Sequence, residues 1–372
     1  MANITKREQQ ILNYIIENPF ITQSEIASRT GITRSSVAVH IRNMTTKGLI
    51  KGRAYILPND DYTLCVGGCS LGFYGTLNEN LDFGGSRGFF SYGHDGAARN
   101  VAEILNRVSI RCELITALSE DEGGKEIIDG LNDIRIPFSH SIRNAKIPTS
   151  REMCLLSPYS AKYSAVMDSE ILSLLTPDYL EKHLNYIREA RAIYLDDGLP
   201  EESLEFLAKN SKAPIFVSFR ADKNVQKVRH LIPYIYGFAL NQSQLEELYQ
   251  KPINKYKELR EAAAWVVEQG AKQVFVAVPT GGLYYVGEES TGRLVTVLEE
   301  MVYWNGMGEA CAAAMIQGFM ESRTIRQTAM MASLHAKASS QTYSPVNREI
   351  DKETVMGWGR SYFPEVFKED ED

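Results

Sequence analysis

The stretch NGMGEACAAAM, residues 305–315, joins two glycines, a carboxylate and a run of small apolar residues. A helix that starts at small residues presents backbone N–H groups to an anion, and the helix dipole adds to the attraction. Glu309 in the first turn could accept a proton from an attacking hydroxyl. These are the parts of a phosphoryl-transfer site, in which catalysis is mostly positioning and electrostatics. Glycine pairs before helices are also common as simple turns, so the context must decide.

Around this stretch, apolar strand-like runs alternate with helical patterns from residue 62 onward. The runs are YTLCVGGC (62–69), RCELITALS (111–119), AIYLDD (192–197), PIFVSF (214–219), GFALN (237–241) and QVFVAV (273–278). Such alternation predicts a doubly wound, mostly parallel α/β sheet, with ligands at the carboxyl ends of the strands. Two aromatic-rich alternating segments, 73–93 and 151–168, break the rhythm and are expected to be strands outside the main sheet, forming a small β lid.

The first 57 residues have a different character. They carry eight basic and three acidic residues, a net charge of +5, whereas the rest of the chain has a net charge of −12. Three helical patterns follow one another, the second starting with a capping box of Thr22 and Glu25 and ending at Gly31. This order is that of a helix-turn-helix, and the following GLIKGRAYIL (48–57) predicts a two-stranded wing.

The N-terminal segment is similar to the winged helix-turn-helix domains of bacterial transcription regulators over residues 4–57. The start of the third helix offers candidates for DNA contacts, and the wing offers candidates for phosphate contacts. The alternative is a dimerisation or docking module whose charges form a solvated face. The DNA-binding candidates are Arg34, Ser35, Ser36, Lys51 and Arg53.

Composition bounds the remaining possibilities. Forty-four per cent of the 372 residues are hydrophobic and 23% are charged, and no apolar run could span a bilayer. The polar, charged start MANITKREQQ predicts a cytoplasmic protein with no membrane partner. The five cysteines are expected to be reduced and buried, and no His/Cys spacing indicates a built-in metal site.

The order of the motifs resembles the ribokinase-like (PfkB) carbohydrate kinases over about residues 62–345. GAARNVAEIL (96–105) looks most like pseudouridine kinases and their relatives, some of which carry an N-terminal helix-turn-helix. The resemblance implies ATP-dependent phosphorylation of a hydroxymethyl group on a sugar or nucleoside, with Mg²⁺ and with K⁺ as an accompanying cation. The expected domains are 1–57, a linker at 58–61, the kinase domain at 62–345 and a C-terminal extension with an acidic tail at 346–372.

The resemblance also assigns acceptor-site and catalytic residues. Gly96 and Asn100 match the first family signature, which holds substrate hydroxyls. Gly306 and Gly308 match the anion hole of the second signature, and Glu309 stands where the family has its general base.

Nucleotide-binding residues follow from the same resemblance. Asn241 matches the asparagine near the phosphates and the hydrated metal, while Thr280 and Gly282 match the loop beside the triphosphate. The metal is expected to arrive with the nucleotide, because the chain shows no ligand set of its own.

Several positions depart from the family pattern. Glu309 replaces an aspartate and Gly72 replaces an aspartate that grips sugar hydroxyls, while Met307, Gln244 and Pro279 replace an alanine, a glutamate and a glycine. Because a misplacement of about 1 Å can cost about 10²-fold in rate, the departures leave open a second function. In this alternative, the domain is catalytically degenerate and is a ligand sensor that controls DNA binding.

Aspartates near strand ends have two interpretations each. Asp95 either caps the helix that begins near Gly96 or is a relocated substrate carboxylate that compensates for Gly72. Asp196 and Asp197 either face the substrate or belong to a turn. A homodimer is expected by analogy, since helix-turn-helix proteins usually bind DNA as dimers.

Overall fold

A computed structural model describes residues 4–17, 21–47, 49–50, 61–77, 86–157, 160–278, 282–288, 290–295, 306–342 and 344–367. The chain divides into two compact units, Met1–Asp61 and Tyr62–Asp372. Each unit has its own apolar core and is described by itself.

The first unit contains three helices: α1 (Lys6–Glu17), α2 (Gln23–Thr30) and α3 (Arg34–Thr46). The predicted capping box is present, and Gly31 ends α2 in the left-handed conformation with a φ of 67°. Val37 and Met44 on α3 are fully buried against α1 and α2. Of the predicted wing (48–57), only Leu49 and Ile50 belong to the described residues.

One ion pair connects the ends of this small core. Glu8 on α1 is 1% exposed and accepts hydrogen bonds from Lys47 Nζ at 2.8 and 2.9 Å. The Lys47 ammonium lowers the pKa of Glu8 to about 2, with help from the Thr5 backbone N–H. The start of α1 is therefore fixed to the end of α3.

The second unit is built from fourteen described strands and eleven described helices. The strands are β1 (Thr63–Val66), β2 (Ser70–Leu77), β3 (Gly88–Asp95), β4 (Cys112–Ile115), β5 (Ala117–Ser119), β6 (Ile142–Asn144), β7 (Arg151–Ser157), β8 (Ser160–Asp168), β9 (Ala192–Asp196), β10 (Ile215–Ser218), β11 (Gly237–Asn241), β12 (Gln273–Val278), β13 (Gly282–Gly287) and β14 (Thr291–Leu294). The helices are α4 (Ala97–Arg107), α5 (Glu122–Asp133), α6 (Pro177–Lys182), α7 (Leu184–Glu189), α8 (Glu201–Asn210), α9 (Val225–Val228), α10 (Gln242–Tyr249), α11 (Tyr256–Glu268), α12 (Met307–Met320), α13 (Ile325–Ser340) and α14 (Lys352–Tyr362).

Eight strands form the main sheet in the order β14-β13-β12-β11-β10-β9-β1-β4. The six strands from β12 to β4 are parallel, and β13 and β14 are antiparallel. Alternate residues of one strand enter opposite cores: Ile193 and Leu195 on one face, Ala192 and Tyr194 on the other. Both faces are thus covered, which confirms the predicted doubly wound α/β fold.

A second sheet stands apart in the order β3-β2-β7-β8. It is formed by the two aromatic-rich segments, so the prediction of strands outside the main sheet is confirmed. Its β2 and β7 strands pair in parallel, with Gly72 opposite Glu152. This lid sheet therefore places a carboxylate beside Gly72.

Other expectations concern cysteines and membrane segments. All five cysteines are free; four are buried and Cys311 is partly buried. In the part of the chain that the structure describes, no helix is long and apolar enough to cross a bilayer.

Candidate active site

The predicted base lies at the start of the buried helix α12. Gly306 precedes the helix with a φ of 84°, and a Cβ there would come within 2.3 Å of the Pro345 carbonyl oxygen, so this position requires glycine. A Cβ at Gly308 would lie 3.6 Å from the Ser218 Cβ, at the end of β10. Glu309 is only 4% exposed. The helix start and its carboxylate therefore lie at the carboxyl edge of the main sheet.

The Glu309 carboxylate has a partner that the sequence analysis missed. Arg220, two residues after β10, donates from Nε to Glu309 Oε1 at 2.9 Å. Its two terminal nitrogens contact Glu152 on the lid strand β7 and Asp95 at the end of β3. Burial disfavours the Arg220 cation, but the three carboxylates raise the pKa of Arg220 well above its usual value. One charged guanidinium thus joins three carboxylates from three elements.

Asp95 collects more donors than the other two carboxylates. It is fully buried and accepts from the Gly96 backbone N–H at 2.7 Å, from Asn100 Nδ2 at 2.7 Å and from the Tyr74 hydroxyl. Burial opposes its ionisation, but the Arg220 guanidinium and these donors lower the pKa of Asp95 to about 2.

Asp95 is not itself the N-cap residue of α4. That position is taken by Gly96, whose backbone N–H donates to the Asp95 carboxylate just before the helix. The Asp95 carboxylate also accepts hydrogen bonds from the Asn100 amide and from the Arg220 guanidinium. Two residues of the first signature, Asp95 and Asn100, are therefore brought into the same network as Glu309.

Glu152 differs from Asp95 in the direction of its pKa shift. It is 5% exposed, and burial raises its pKa, with further contributions from the Asp95 and Glu309 charges that outweigh the Arg220 guanidinium. Three buried carboxylates share one cation, so the cluster holds more negative charge than Arg220 neutralises.

The Gly72 departure has a steric explanation. A Cβ at Gly72 would lie 2.2 Å from the Tyr74 hydroxyl oxygen, so that hydroxyl fills the space beside Gly72. Tyr74 in turn donates to Asp95. The polar group at this place is therefore a phenol paired with a carboxylate on the neighbouring strand.

The backbone that carries Arg220 is fixed by polar side chains. Asp197 Oδ2 accepts from the backbone N–H groups of Arg220 and Ala221 at 3.2 and 3.4 Å and from Asn224 Nδ2 at 3.0 Å. Gln244 Nε2 donates to the Phe219 carbonyl oxygen at 2.9 Å. The glutamine at position 244 thus supplies a donor that a glutamate could not.

The two adjacent aspartates are both buried and hold backbone rather than solvent. Asp196 accepts from the N–H groups of Gly68 and Gly198, each at 2.8 Å. Burial and the neighbouring Asp196 charge raise the pKa of Asp197 to about 7. These contacts favour the structural interpretation of the pair.

Among the residues predicted to bind the nucleotide, Asn241 is the N-cap of α10. Its Oδ1 accepts from the Gln244 N–H at 2.8 Å in a capping box. Gly282 begins β13, opposite Val278 on β12. Thr280 and Pro279 lie outside the described residues. Among the side chains that the structure describes, no group of three or more His, Cys, Asp or Glu is arranged to hold a metal ion.

The DNA-binding candidates lie in the other unit. Arg34, Ser35 and Ser36 are exposed in the first turn of α3. The Thr33 hydroxyl lies 2.9 Å from each of the two serine hydroxyls. Lys51 and Arg53 fall outside the described residues.

The missed residues had weak sequence signals. Arg220 is the first charged residue after a buried parallel strand, where ligand-binding side chains of doubly wound sheets are found. Glu152 is a carboxylate that directly precedes the apolar run at 153–156 in lid strand β7, and Tyr74 lies two residues beyond Gly72. No local pattern announces that these side chains meet.

The chain belongs to the pfkB family of carbohydrate kinases, whose family model matches residues 70–352. Residues 4–51 match the model of a winged helix-turn-helix DNA-binding domain. Both resemblances expected from the sequence are confirmed, and so is the prediction of a kinase.

Several known proteins are similar to this chain. The uncharacterized sugar kinase YeiI of Escherichia coli is 25% identical over 356 residues, covering 95% of this chain and 98% of its own length. The pseudouridine kinase of Escherichia coli is 22% identical and covers 73% of this chain and 88% of its own. The structure of Arabidopsis thaliana ribokinase complexed with ribose and ATP has a TM-score of 0.68 at 17% identity, covering 80% of this chain and 98% of its own. That structural likeness confirms the ribokinase-like fold.

Proposed function

We propose that this protein transfers the γ-phosphoryl group of ATP to a hydroxymethyl group of a sugar or nucleoside. The observation that carries the proposal is the buried Glu309 carboxylate at the start of α12, connected through Arg220 to Asp95 of the first signature. A base, an anion-binding helix start and a hydroxyl-binding signature are the requirements of this reaction. The names of the relatives, a sugar kinase and a pseudouridine kinase, support the acceptor class.

The proposed chemistry follows from these groups. The acceptor oxygen attacks the γ-phosphorus, the bond to the β–γ bridging oxygen breaks, and ADP leaves. The acceptor proton passes to the Glu309 carboxylate. Backbone N–H groups in the first turn of α12, around Gly306 and Gly308, stabilise the charge of the transferred group. Mg²⁺ enters with ATP as part of the substrate, and K⁺ is proposed as an accompanying cation.

Substrate contacts are assigned on both sides of this centre. Asp95, Asn100 and the Gly96 backbone are proposed to bind acceptor hydroxyls, since the first two already share a hydrogen bond of 2.7 Å in the network of Glu309. Asn241, with Thr280 and Gly282, is proposed to bind the nucleotide, because β11 and β12 end side by side at the carboxyl edge of the sheet.

ATP turnover tests the proposal. Purified protein is assayed for ADP release with pentoses, hexoses and nucleosides including pseudouridine, with Mg²⁺ and K⁺. At least one acceptor is expected to stimulate turnover, and Glu309→Gln is expected to lower kcat by about 10²-fold or more. Glu202→Gln, an exposed glutamate on α8, is the matched control and retains activity. Turnover unaffected by Glu309→Gln would contradict the assigned base.

The second candidate is a ligand-sensing transcription regulator. It is favoured by the exposed Arg34, Ser35 and Ser36 at the start of α3 and by the Arg220 contact that engages the proposed base. A ligand can change DNA affinity only if it binds the two states of the protein differently. DNA affinity is therefore measured with and without the acceptor; a change in affinity without turnover would favour the regulator.

Arg34 provides a check on the DNA-binding proposal itself. If Arg34 contacts a phosphate, Arg34→Ala weakens binding to all DNA sequences alike and reduces the slope of log affinity against log salt by about one. A Ser36→Ala change leaves that slope unaltered. An unchanged slope in Arg34→Ala would exclude this phosphate contact.

A homodimer is also proposed. The lid sheet exposes large apolar side chains, with Phe90 82% and Val166 74% exposed. Apolar surface of this kind is typical of an interaction face. Sedimentation of the wild-type chain and of Phe90→Ser is expected to give a dimer and a weakened dimer, and a wild-type monomer at micromolar concentration would contradict the proposal.

A further inference from the structure

Hydrogen bonds from side chains hold the backbone on both sides of Arg220. The N–H groups of Arg220 and Ala221 are held by Asp197, and the carbonyl before Arg220 is held by Gln244. The Arg220 side chain is only 14% exposed. Its backbone and its head group are therefore both fixed, unlike those of a surface arginine that pairs by chance.

The three contacts of the guanidinium use different nitrogens. Nε donates to Glu309, one terminal nitrogen to Glu152 and the other to Asp95. A guanidinium is planar and rigid, so the directions of its donors are set together. The position of each carboxylate is consequently linked to the positions of the other two.

These carboxylates belong to three separate elements of the kinase unit. Glu309 belongs to α12, which packs against the main sheet and α13. Glu152 belongs to β7 of the separate lid sheet, and Asp95 to the junction between lid strand β3 and helix α4. Arg220 therefore joins the lid to the proposed base through one side chain.

We propose that Arg220 is a positioning residue of the phosphoryl transfer: it orients the Glu309 carboxylate and makes that orientation depend on the seating of lid strand β7 through Glu152. The inference rests on the proposed function, because it acts through Glu309 as the base. The network keeps the lid strand β7 and Glu309 together. An acceptor hydroxyl then forms its hydrogen bonds with side chains whose positions this network has already fixed.

Charge in the network supports this assignment. Burial opposes the ionisation of Asp95, but the guanidinium overcomes it, while burial and the other two carboxylates keep the pKa of Glu152 raised. Removing Arg220 would leave three buried carboxylates without their shared cation, and protons would bind them at higher pH. The titratable and charged groups that face this network, by element, are Tyr74 (β2), Asp95 (β3), Glu152 and Cys154 (β7), Tyr194, Asp196 and Asp197 (β9 and the following residue), Arg220 (after β10) and Glu309 (α12).

A kinetic comparison tests the catalytic part of the proposal. Arg220→Lys keeps a charge but loses the rigid fork, and its kcat is expected to fall about 10²-fold with the KM for ATP unchanged. In Arg220→Met the acid limb of the rate profile is expected to move to higher pH by about one unit. Arg326→Met, an exposed arginine on α13, is the control. Full activity of Arg220→Lys, or an unshifted rate profile in Arg220→Met, would overturn the assignment.

Amide hydrogen exchange tests the link without any turnover. Glu309→Ala, a change in α12, is expected to speed exchange in peptides covering 151–157 about tenfold, as is Arg220→Met. The double variant is expected to exchange no faster than Arg220→Met alone, because Glu309 is connected to β7 through Arg220. Unchanged exchange in Glu309→Ala, or additive effects, would overturn the link.

The two experiments separate failure of the inference from failure of the proposed function. A wild-type chain without turnover but with the expected exchange pattern would refute the kinase reaction while retaining the connection between lid and Glu309. A chain with turnover abolished in Glu309→Gln but unaffected in Arg220→Lys would retain the kinase and refute the role of Arg220.

Discussion

Replacing Arg220 with methionine should destabilise the kinase unit in a way that depends on pH. The change removes the cation shared by Asp95, Glu152 and Glu309, each at most 5% exposed. Breaking a buried ion pair by removing one partner typically costs about 3–5 kcal/mol of unfolding free energy. For Asp95 alone, a folded pKa of about 2 against an ordinary value of 3.8 corresponds to about 2 kcal/mol.

The direction of the pH effect follows from that depressed pKa. A carboxylate with a lowered folded pKa stabilises the protein above its unfolded pKa and loses this contribution as the pH falls toward 2. In Arg220→Met the contribution of Asp95 to the unfolding free energy is absent. Protonation of the buried carboxylates at lower pH then stabilises the folded variant. The loss of unfolding free energy relative to wild type is therefore largest at pH 7–8 and becomes smaller toward pH 4.

Urea unfolding followed by tryptophan fluorescence measures this deficit. All three tryptophans, Trp265, Trp304 and Trp358, belong to the second unit, so the signal reports that unit. Arg326→Met serves as the control and is expected to unfold like wild type. An Arg220→Met chain as stable as wild type at pH 7.5, or a deficit that grows toward acid pH, would refute the charge reasoning.

Three further predictions concern single positions. Gly306→Ala places a Cβ 2.3 Å from a carbonyl oxygen at positive φ, so we expect a loss of roughly 2–4 kcal/mol in urea unfolding, and a neutral outcome would contradict the glycine requirement. Gln244→Glu loses the donor to the Phe219 carbonyl and should lower stability by about 1–3 kcal/mol; Gln327→Glu, at the same position of another capping box, should not. Asp197 has its pKa raised from 3.8 to about 7, so its stabilising contribution is present below pH 4 and lost as the pH rises through 7. Asp197→Asn should remove that slope, worth roughly 4 kcal/mol, from stability measured between pH 4 and 8.

Much of the fold was predictable because the signals are local. The capping box of α2, the glycine that ends it and the small-residue start of α12 each depend on residues within a few positions of one another. Buried parallel strands and alternating lid strands are likewise visible as apolar periodicity. The order of strands within the main sheet required the structure, since pairing joins segments far apart in the chain.

The candidate site was predictable only in part. Glu309, Asp95 and Asn100 stood out by their motifs, but their common partner did not. Arg220 is 125 residues from Asp95, 68 from Glu152 and 89 from Glu309 along the chain. A single arginine after a strand carries no local sign of such contacts.

Two departures from the family pattern, at positions 72 and 244, are explained by side-chain contacts that only the structure shows. Position 72 is a glycine because the Tyr74 hydroxyl occupies the adjacent space and donates to Asp95. Position 244 is a glutamine because its amide donates to the carbonyl preceding Arg220. Both positions depart from the family pattern, and the structure shows a contact for each in or beside the Arg220 network.

Phosphoryl transfer with Glu309 as the base is tested most directly by mass spectrometry, which detects a phosphorylated acceptor after incubation with ATP, Mg²⁺ and K⁺. The acceptors are the same panel of sugars and nucleosides, and the proteins are wild type, Glu309→Gln and Glu202→Gln. We expect a product carrying one added phosphoryl group with wild type and Glu202→Gln, and about 10²-fold less with Glu309→Gln. Equal product from Glu309→Gln, or no product from wild type with any acceptor of the panel, would contradict it.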